Sequence, residues 1–174
     1  MAMTKKLGVK LVSQTPGYCG PASLKMVLDY YGVKKSLETL AKMSQTPPAY
    51  ETAGASGKKL LAAAKKLGFS GFIKNWADFN DIRQYVEKRQ IPVIISWFSE
   101  YESHFSVVVK IDDKNIYFLD PEYETLRKMS FPRFKKIWFE FEGGFQGKKP
   151  KLIVRRIVVI YPKPAEKKSK SKAE

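Results

Sequence analysis

The apolar residues of this chain change their spacing once, at Gly68, and that change limits the fold more than any other feature. Before it, they recur at the three-and-four spacing of helices; after it, they fall into short β-branched and aromatic runs separated by polar turns. Gly20-Pro21 followed by Ala22, Leu24, Met26, Val27, Leu28, Tyr30 and Tyr31 predicts a helix with proline in its first turn and Gly32 just past its end. Cys19 then sits at that helix's N-terminus. A second helix is expected after Ser36 (Leu37, Leu40, Ala41, Met43) and a third after Ser56, running through Leu60, Leu61, Ala64 and Leu67 to a stop at Gly68.

Residues 69–74 read as a strand, followed by a helix through Ile82, Tyr85 and Val86 before Pro92. Strands are expected at 93–98, 105–111, 116–119 and 152–161, with one or two helical turns at 131–137. Helices first and antiparallel strands afterwards give an α+β domain with a cleft where the two halves meet. A length of 174 residues with 44% apolar content fits a single core. The expected division is one domain over 1–161 and a disordered basic tail over 162–174.

Charge is unevenly placed. Lys and Arg number 32 against 17 Asp and Glu, a net of +15, and residues 148–174 hold ten Lys/Arg against two Glu, +8 of that total. Such a tail is expected to make weak electrostatic contact with nucleic acid or an anionic surface, or simply to keep the chain soluble. One cysteine excludes an intramolecular disulfide and favours a reducing interior. The N-terminal Lys5-Lys6 pair is followed by a segment broken at Lys10, Ser13 and Gln14, which is no signal-peptide core. No apolar run approaches the roughly 18 residues that would span a bilayer. The expectation is a soluble, cytoplasmic protein.

A lone cysteine is ordinarily a small core residue. The Cys-Gly-Pro helix start changes that, because unpaired backbone N–H groups beside the sulfur favour thiolate over thiol. Gly20 is expected to leave room for a substrate backbone. Gln14, five residues upstream, is placed to donate from its amide to an oxyanion formed at that sulfur, with the Cys19 N–H as second donor. The only histidine, His104, opens the strand H-F-S-V-V-V-K-I-D, and the following run I-Y-F-L-D-P ends in Asp120. Strand alternation tests the pair. If Ile111 pairs with Ile116, Asp120 faces away from His104; pairing Ile111 with Asn115, or a bulge of equal effect, opposes His104 to Glu122 and brings Asp120 to its face. The odd loop or the bulge is therefore expected.

In this order and spacing, Q-T-P-G-Y-C-G-P-A-S-L-K-M-V-L-D-Y-Y-G, S-L-E-T-L-A-K, G-K-K-L-L-A-A-A-K-K-L-G-F, I-P-V-I-I-S-W, S-H-F-S-V-V-V, F-L-D-P and F-K-K-I-W resemble the bacteriocin-processing peptidases that remove double-glycine leaders, within the papain-like group. The resemblance runs from about Val12 to Trp138. It implies a papain-like α+β fold and a cysteine peptidase acting on a peptide or protein substrate. The matching positions are Cys19 as nucleophile, His104 as base, Asp120 as the acid that orients it and Gln14 in the oxyanion hole. No metal or cofactor is implied. Tyr18 stands where leader-processing members commonly carry Asp, their glutamine is often six residues upstream, and they are usually fused to a transporter with an ATPase domain.

Two other readings remain open. One is an acyltransferase, transglutaminase or amidase, since an acyl-enzyme can be resolved by an amine as well as by water. The other is a catalytically idle papain-like basic module binding an acidic peptide, or nucleic acid through Lys148, Lys149, Lys151, Arg155, Arg156 and the tail. The aromatic loop W-F-S-E-Y-E-S before His104 either borders the cleft or packs on the sheet. Gly143-Gly144 is expected to be a turn.

Overall fold

A computed structural model describes residues 5–47, 54–100, 102–142 and 149–164. The turn expected at Gly143-Gly144, Tyr101, Lys148 and most of the basic tail fall outside the described residues. The three expected helices are α1 (Cys19–Tyr30), α2 (Leu37–Met43) and α3 (Gly57–Lys66). Their punctuation is that of the sequence. Ser36 caps α2 by accepting the Thr39 N–H at 3.1 Å, and Gly32 and Gly68 take positive φ (83° and 88°) just beyond α1 and α3, where a side chain would be strained.

After β1 (Phe69–Lys74), α4 (Phe79–Arg83) opens with a reciprocal capping box between Asp78 and Asp81 and passes into a π-helical turn over Gln84–Lys88. The remaining elements are β2 (Val93–Ser99), β3 (Glu102–Ile111), β4 (Asn115–Asp120), β5 (Thr125–Ser130), α5 (Phe131–Ile137), β6 (Phe139–Glu142), β7 (Lys151–Val154) and β8 (Ile157–Pro162). A six-stranded antiparallel sheet has the order β1-β8-β2-β3-β4-β5, and β6 pairs only with β7. The α+β class holds.

Three details differ from expectation. The run 152–161 is not one strand: it breaks at Arg155, whose φ of 49° ends β7, so that β8 leaves for the other sheet. Strands β5 and β6 were not expected at all. The loop between β3 and β4 is even, since Ile111 pairs with Ile116. Asp112 holds it so, accepting the N–H groups of Lys114 (2.8 Å) and Asn115 (2.7 Å) and the Tyr117 hydroxyl (2.7 Å). The expected bulge then appears between Val108 and Lys110, beyond which Val108 faces Phe118 and Val107 faces Leu119. The bulged Val109 keeps its carbonyl occupied by accepting the Leu7 N–H at 2.8 Å.

An aromatic core braces this end of the sheet. Phe134 of α5, fully buried, lies 5.3–6.4 Å between ring centroids from Phe79, Trp97, Phe118 and Trp138. Phe134→Ala should cost about 3–5 kcal/mol, because four rings would line the void left behind; urea denaturation would measure it, and a loss below 1 kcal/mol would show that the cluster closes over the gap.

Candidate active site

Cys19 is the first residue of α1 and is 9% exposed. The turn before it sets its place: Pro16 and Gly17 (φ 80°) occupy the centre of a β-turn closed by the Tyr18 N–H donating to the Thr15 carbonyl at 2.9 Å. The first helical bond runs from the Ala22 N–H to the Tyr18 carbonyl, and Pro21 has no N–H. The amides of Cys19 and Gly20 therefore precede the helical ladder, next to the sulfur. Gly20 has a different use from the one expected. A Cβ there would overlap the Ala55 side chain and crowd Leu60, so glycine lets α1 sit against the approach to α3 instead of admitting substrate.

The register brings His104 and Asp120 together. Trp97 pairs with His104, and Val108 with Phe118, so alternation puts Trp97, His104, Phe118 and Asp120 on one face. His104 Nε2 lies 2.8 Å from Asp120 Oδ1, and both residues are buried, 2% and 0% exposed. The other ring nitrogen, Nδ1, has the Glu122 carboxylate at 3.7 Å, and Cys19 lies near enough to the imidazole to raise its pKa. Trp97 meets the ring edge-on at 5.5 Å and is itself fixed by donating from Nε1 to Ser106 Oγ at 3.0 Å. Of the aromatic loop, Trp97 is thus packing that forms the wall of the site.

Asp120 has four donors around it. Oδ1 also accepts the N–H groups of Glu122 (3.1 Å) and Tyr123 (3.5 Å), and Oδ2 accepts Arg127 Nη1 at 3.0 Å. Burial alone would push this carboxyl up; the bonds from His104, Arg127 and Glu122 outweigh it and hold Asp120 below the ordinary 3.8. For His104 burial would favour the neutral ring, but Asp120 on one side and Cys19 on the other carry its pKa from 6.5 up to about 10. The Glu122 carboxylate, which the expected register set opposite His104, lies 3.7 Å from Nδ1; Arg127 is the neighbour that sequence reasoning missed, and only a cross-strand register could have found it.

Gln14 is anchored to the same place. Its N–H donates to the Pro121 carbonyl at 3.0 Å, one residue beyond Asp120, and the neighbouring Ser13 hydroxyl donates to Glu124 at 2.7 Å. Gln14 Oε1 is buried without a hydrogen-bond partner. His104, Asp120 and Glu122 together could in principle ligate a metal. Nε2 and Oδ1 are already each other's partners at 2.8 Å, so the set fits an oriented imidazole better than a metal centre. Arg156, offered above as a nucleic-acid contact, is 3% exposed and donates to Glu140 (2.8 Å) and Asn75 (2.9 Å); its charge is spent inside the protein. No helix among the described residues is long and apolar enough to cross a membrane.

The single histidine makes the electrostatics testable by NMR. His104 should stay charged through pH 8 and titrate near 10, and Cys19→Ser should lower that midpoint by removing a neighbour that raises it. A raised histidine pKa adds stability that is complete below 6.5 and lost as pH rises through about 10, whereas the lowered Asp120 adds stability that is lost as pH falls below 3.8. An imidazole titrating at 6.5 would contradict the arrangement.

Comparison with known proteins gives the family and the fold. The model of the peptidase C39 family matches residues 9–141. The peptidase domain of Streptococcus ComA, a bi-functional ABC transporter involved in a quorum-sensing pathway, superposes with a TM-score of 0.67 at 25% identity, covering 89% of this chain and 99% of that one. A putative C39-like peptidase from Bacillus anthracis superposes with a TM-score of 0.67 at 16% identity, covering 92% and 100%. A double-glycine-motif protease from an AMS/PCAT transporter, solved in complex with the leader peptide, gives 0.63 at 21%, covering 93% and 97%; these last two establish likeness of fold. An uncharacterized protein of Methanothermobacter marburgensis is 29% identical over 119 residues, 67% of this chain and 75% of that protein.

Proposed function

Because this chain belongs to the peptidase C39 family, we propose that it is a cysteine peptidase that cleaves peptide bonds through Cys19, His104 and Asp120, with Gln14 in the oxyanion hole. The observation that carries the reading is the bond of His104 Nε2 to the buried Asp120; in this reading Nδ1 is the nitrogen that serves the sulfur of Cys19. A charged imidazole beside a cysteine is a setting that favours thiolate over thiol.

In the reaction proposed, the Cys19 sulfur attacks the carbonyl carbon of the scissile bond. The carbonyl electron pair moves to oxygen, and the Cys19 N–H and Gln14 Nε2 donate to the oxyanion. His104 gives its Nδ1 proton to the leaving amine as the C–N bond breaks, and a thioester remains on Cys19. Water then attacks with His104 taking its proton, the C–S bond breaks, and the carboxylic acid leaves with thiolate and imidazolium restored. Asp120 keeps the ring in the useful orientation throughout and is not itself a proton carrier. A peptide substrate is supported by the related protease solved with a leader peptide.

An aldehyde or vinyl-sulfone peptide probe tests the reading. Intact-mass spectrometry should find one adduct on the wild-type chain, none on Cys19→Ala, and one formed far more slowly on His104→Ala. For a cleaved peptide, Gln14→Ala should lower kcat by roughly a hundredfold with little change in KM, the usual effect of losing one oxyanion donor. Failure of all probes to label Cys19 would end the hydrolase reading, and amine incorporation in place of free acid would convert it to acyl transfer.

A further inference from the structure

Asp120 is the buried carboxylate of the site, and its second oxygen is not left to water. Arg127 lies on β5, where it pairs with Phe118 of β4, so its side chain leaves the sheet on the face that carries Asp120, His104 and Trp97. From there Nη1 reaches Asp120 Oδ2 at 3.0 Å. The guanidinium is held over two rings, 5.2 Å from the centre of Trp97 and 5.3 Å from that of Tyr123. Trp97 in turn meets the edge of His104 at 5.5 Å. The same cation therefore touches the acid directly and the base by way of one ring.

Resting on the triad reading above, we propose that Arg127 is a positioning residue that acts on His104 through Asp120. A carboxylate can rotate about its last bond, and either oxygen can accept. With Oδ2 committed to a planar cation clamped between Trp97 and Tyr123, Oδ1 is the oxygen presented to Nε2, already steadied by the amides of Glu122 and Tyr123. The cation has a second effect. It keeps Asp120 ionised at low pH, so the imidazolium retains its partner where an isolated buried carboxyl would take up a proton. Arginine suits both parts because its charge is permanent and its plane stacks on aromatic faces.

Cys19 is the only cysteine, so iodoacetamide labelling against pH reports on this site alone. Wild type should label rapidly well below neutral pH. In Arg127→Gln, which keeps an amide donor but not the charge, the acid limb should move up by about one pH unit, so labelling on the limb falls about tenfold while the rates converge at high pH. Arg127→Lys should return the limb to its wild-type position, and in an Asp120→Asn background Arg127→Gln should slow labelling no further. A Gln profile that overlies wild type overturns the proposal, and so does full additivity with Asp120→Asn, because either separates Arg127 from the acid. A merely structural role would lower Tm in the Gln and Lys variants alike without moving the limb. If the Gln variant does not fold, the Lys variant decides, and a displaced limb there overturns the proposal. Failure of the triad reading looks different: wild type itself would label slowly below neutral pH, and His104→Ala would change nothing.

Discussion

The hydrogen bond between His104 and Asp120 exists because β3 carries one residue more than β4 across from it. With Ile111 facing Ile116, an unbroken ladder would bring the carboxylate out on the far side of the sheet from the imidazole. The extra residue at Val109 reverses the alternation, and its freed carbonyl is taken by the Leu7 N–H. A bulge is therefore the device on which the site depends, and the N-terminal segment holds it in place. Two contacts follow from that offset: Trp97 against the ring and Arg127 against the carboxylate.

Burying these charges is costly, and the structure answers the cost with hydrogen bonds, not with burial alone. Asp120 has no solvent exposure but receives four donors, and its ionised form is the favoured one. A second buried pair, Arg156 with Glu140, follows the same rule at the other side of β2, where Arg156 also donates to Asn75. In that pair desolvation of Glu140 dominates and its pKa is raised, so it is less secure than the first. The difference lies in the donor set. Asp120 has two backbone amides from the following turn, which move with it, whereas Glu140 depends on side chains from other elements.

The helical half was legible because its boundaries are written in residues with one physical use. Ser36 caps, Pro21 fits a first turn, and Gly32 and Gly68 accept the positive φ that ends a helix. The meeting of His104 with Asp120 was legible as a condition on register, but the place of the bulge was not, since nothing in V-V-V-K distinguishes Val109 from its neighbours before Leu7 is seen to bind it. Strand β5 was missed because an edge strand reading T-L-R-K-M-S lacks the alternation that buried strands show, only Met129 being buried. The break between β7 and β8 was missed for the opposite reason: Arg155 takes a positive φ without being glycine. Arg127 could not have been found from spacing, because its partner is chosen by the pairing of β4 with β5.

The site joins two parts of the chain that unfolding could separate. Cys19 and Gln14 belong to the N-terminal segment and its helix, while His104 and Asp120 belong to the sheet. Burial of α1 against the sheet sets the distance between sulfur and imidazole, but it does not fix the glutamine, which is half-buried and lies before the helix begins. The bond from the Gln14 N–H to the Pro121 carbonyl does that, with the Ser13 hydroxyl on Glu124 beside it. Both bonds end on the turn that follows Asp120. The same five residues of chain, 120–124, therefore steady Asp120 through the Glu122 and Tyr123 amides and Gln14, the proposed oxyanion donor, through Pro121. A shift of that turn would misplace donor and acid together, which makes it the joint at which the two halves of the proposed machinery are kept in step.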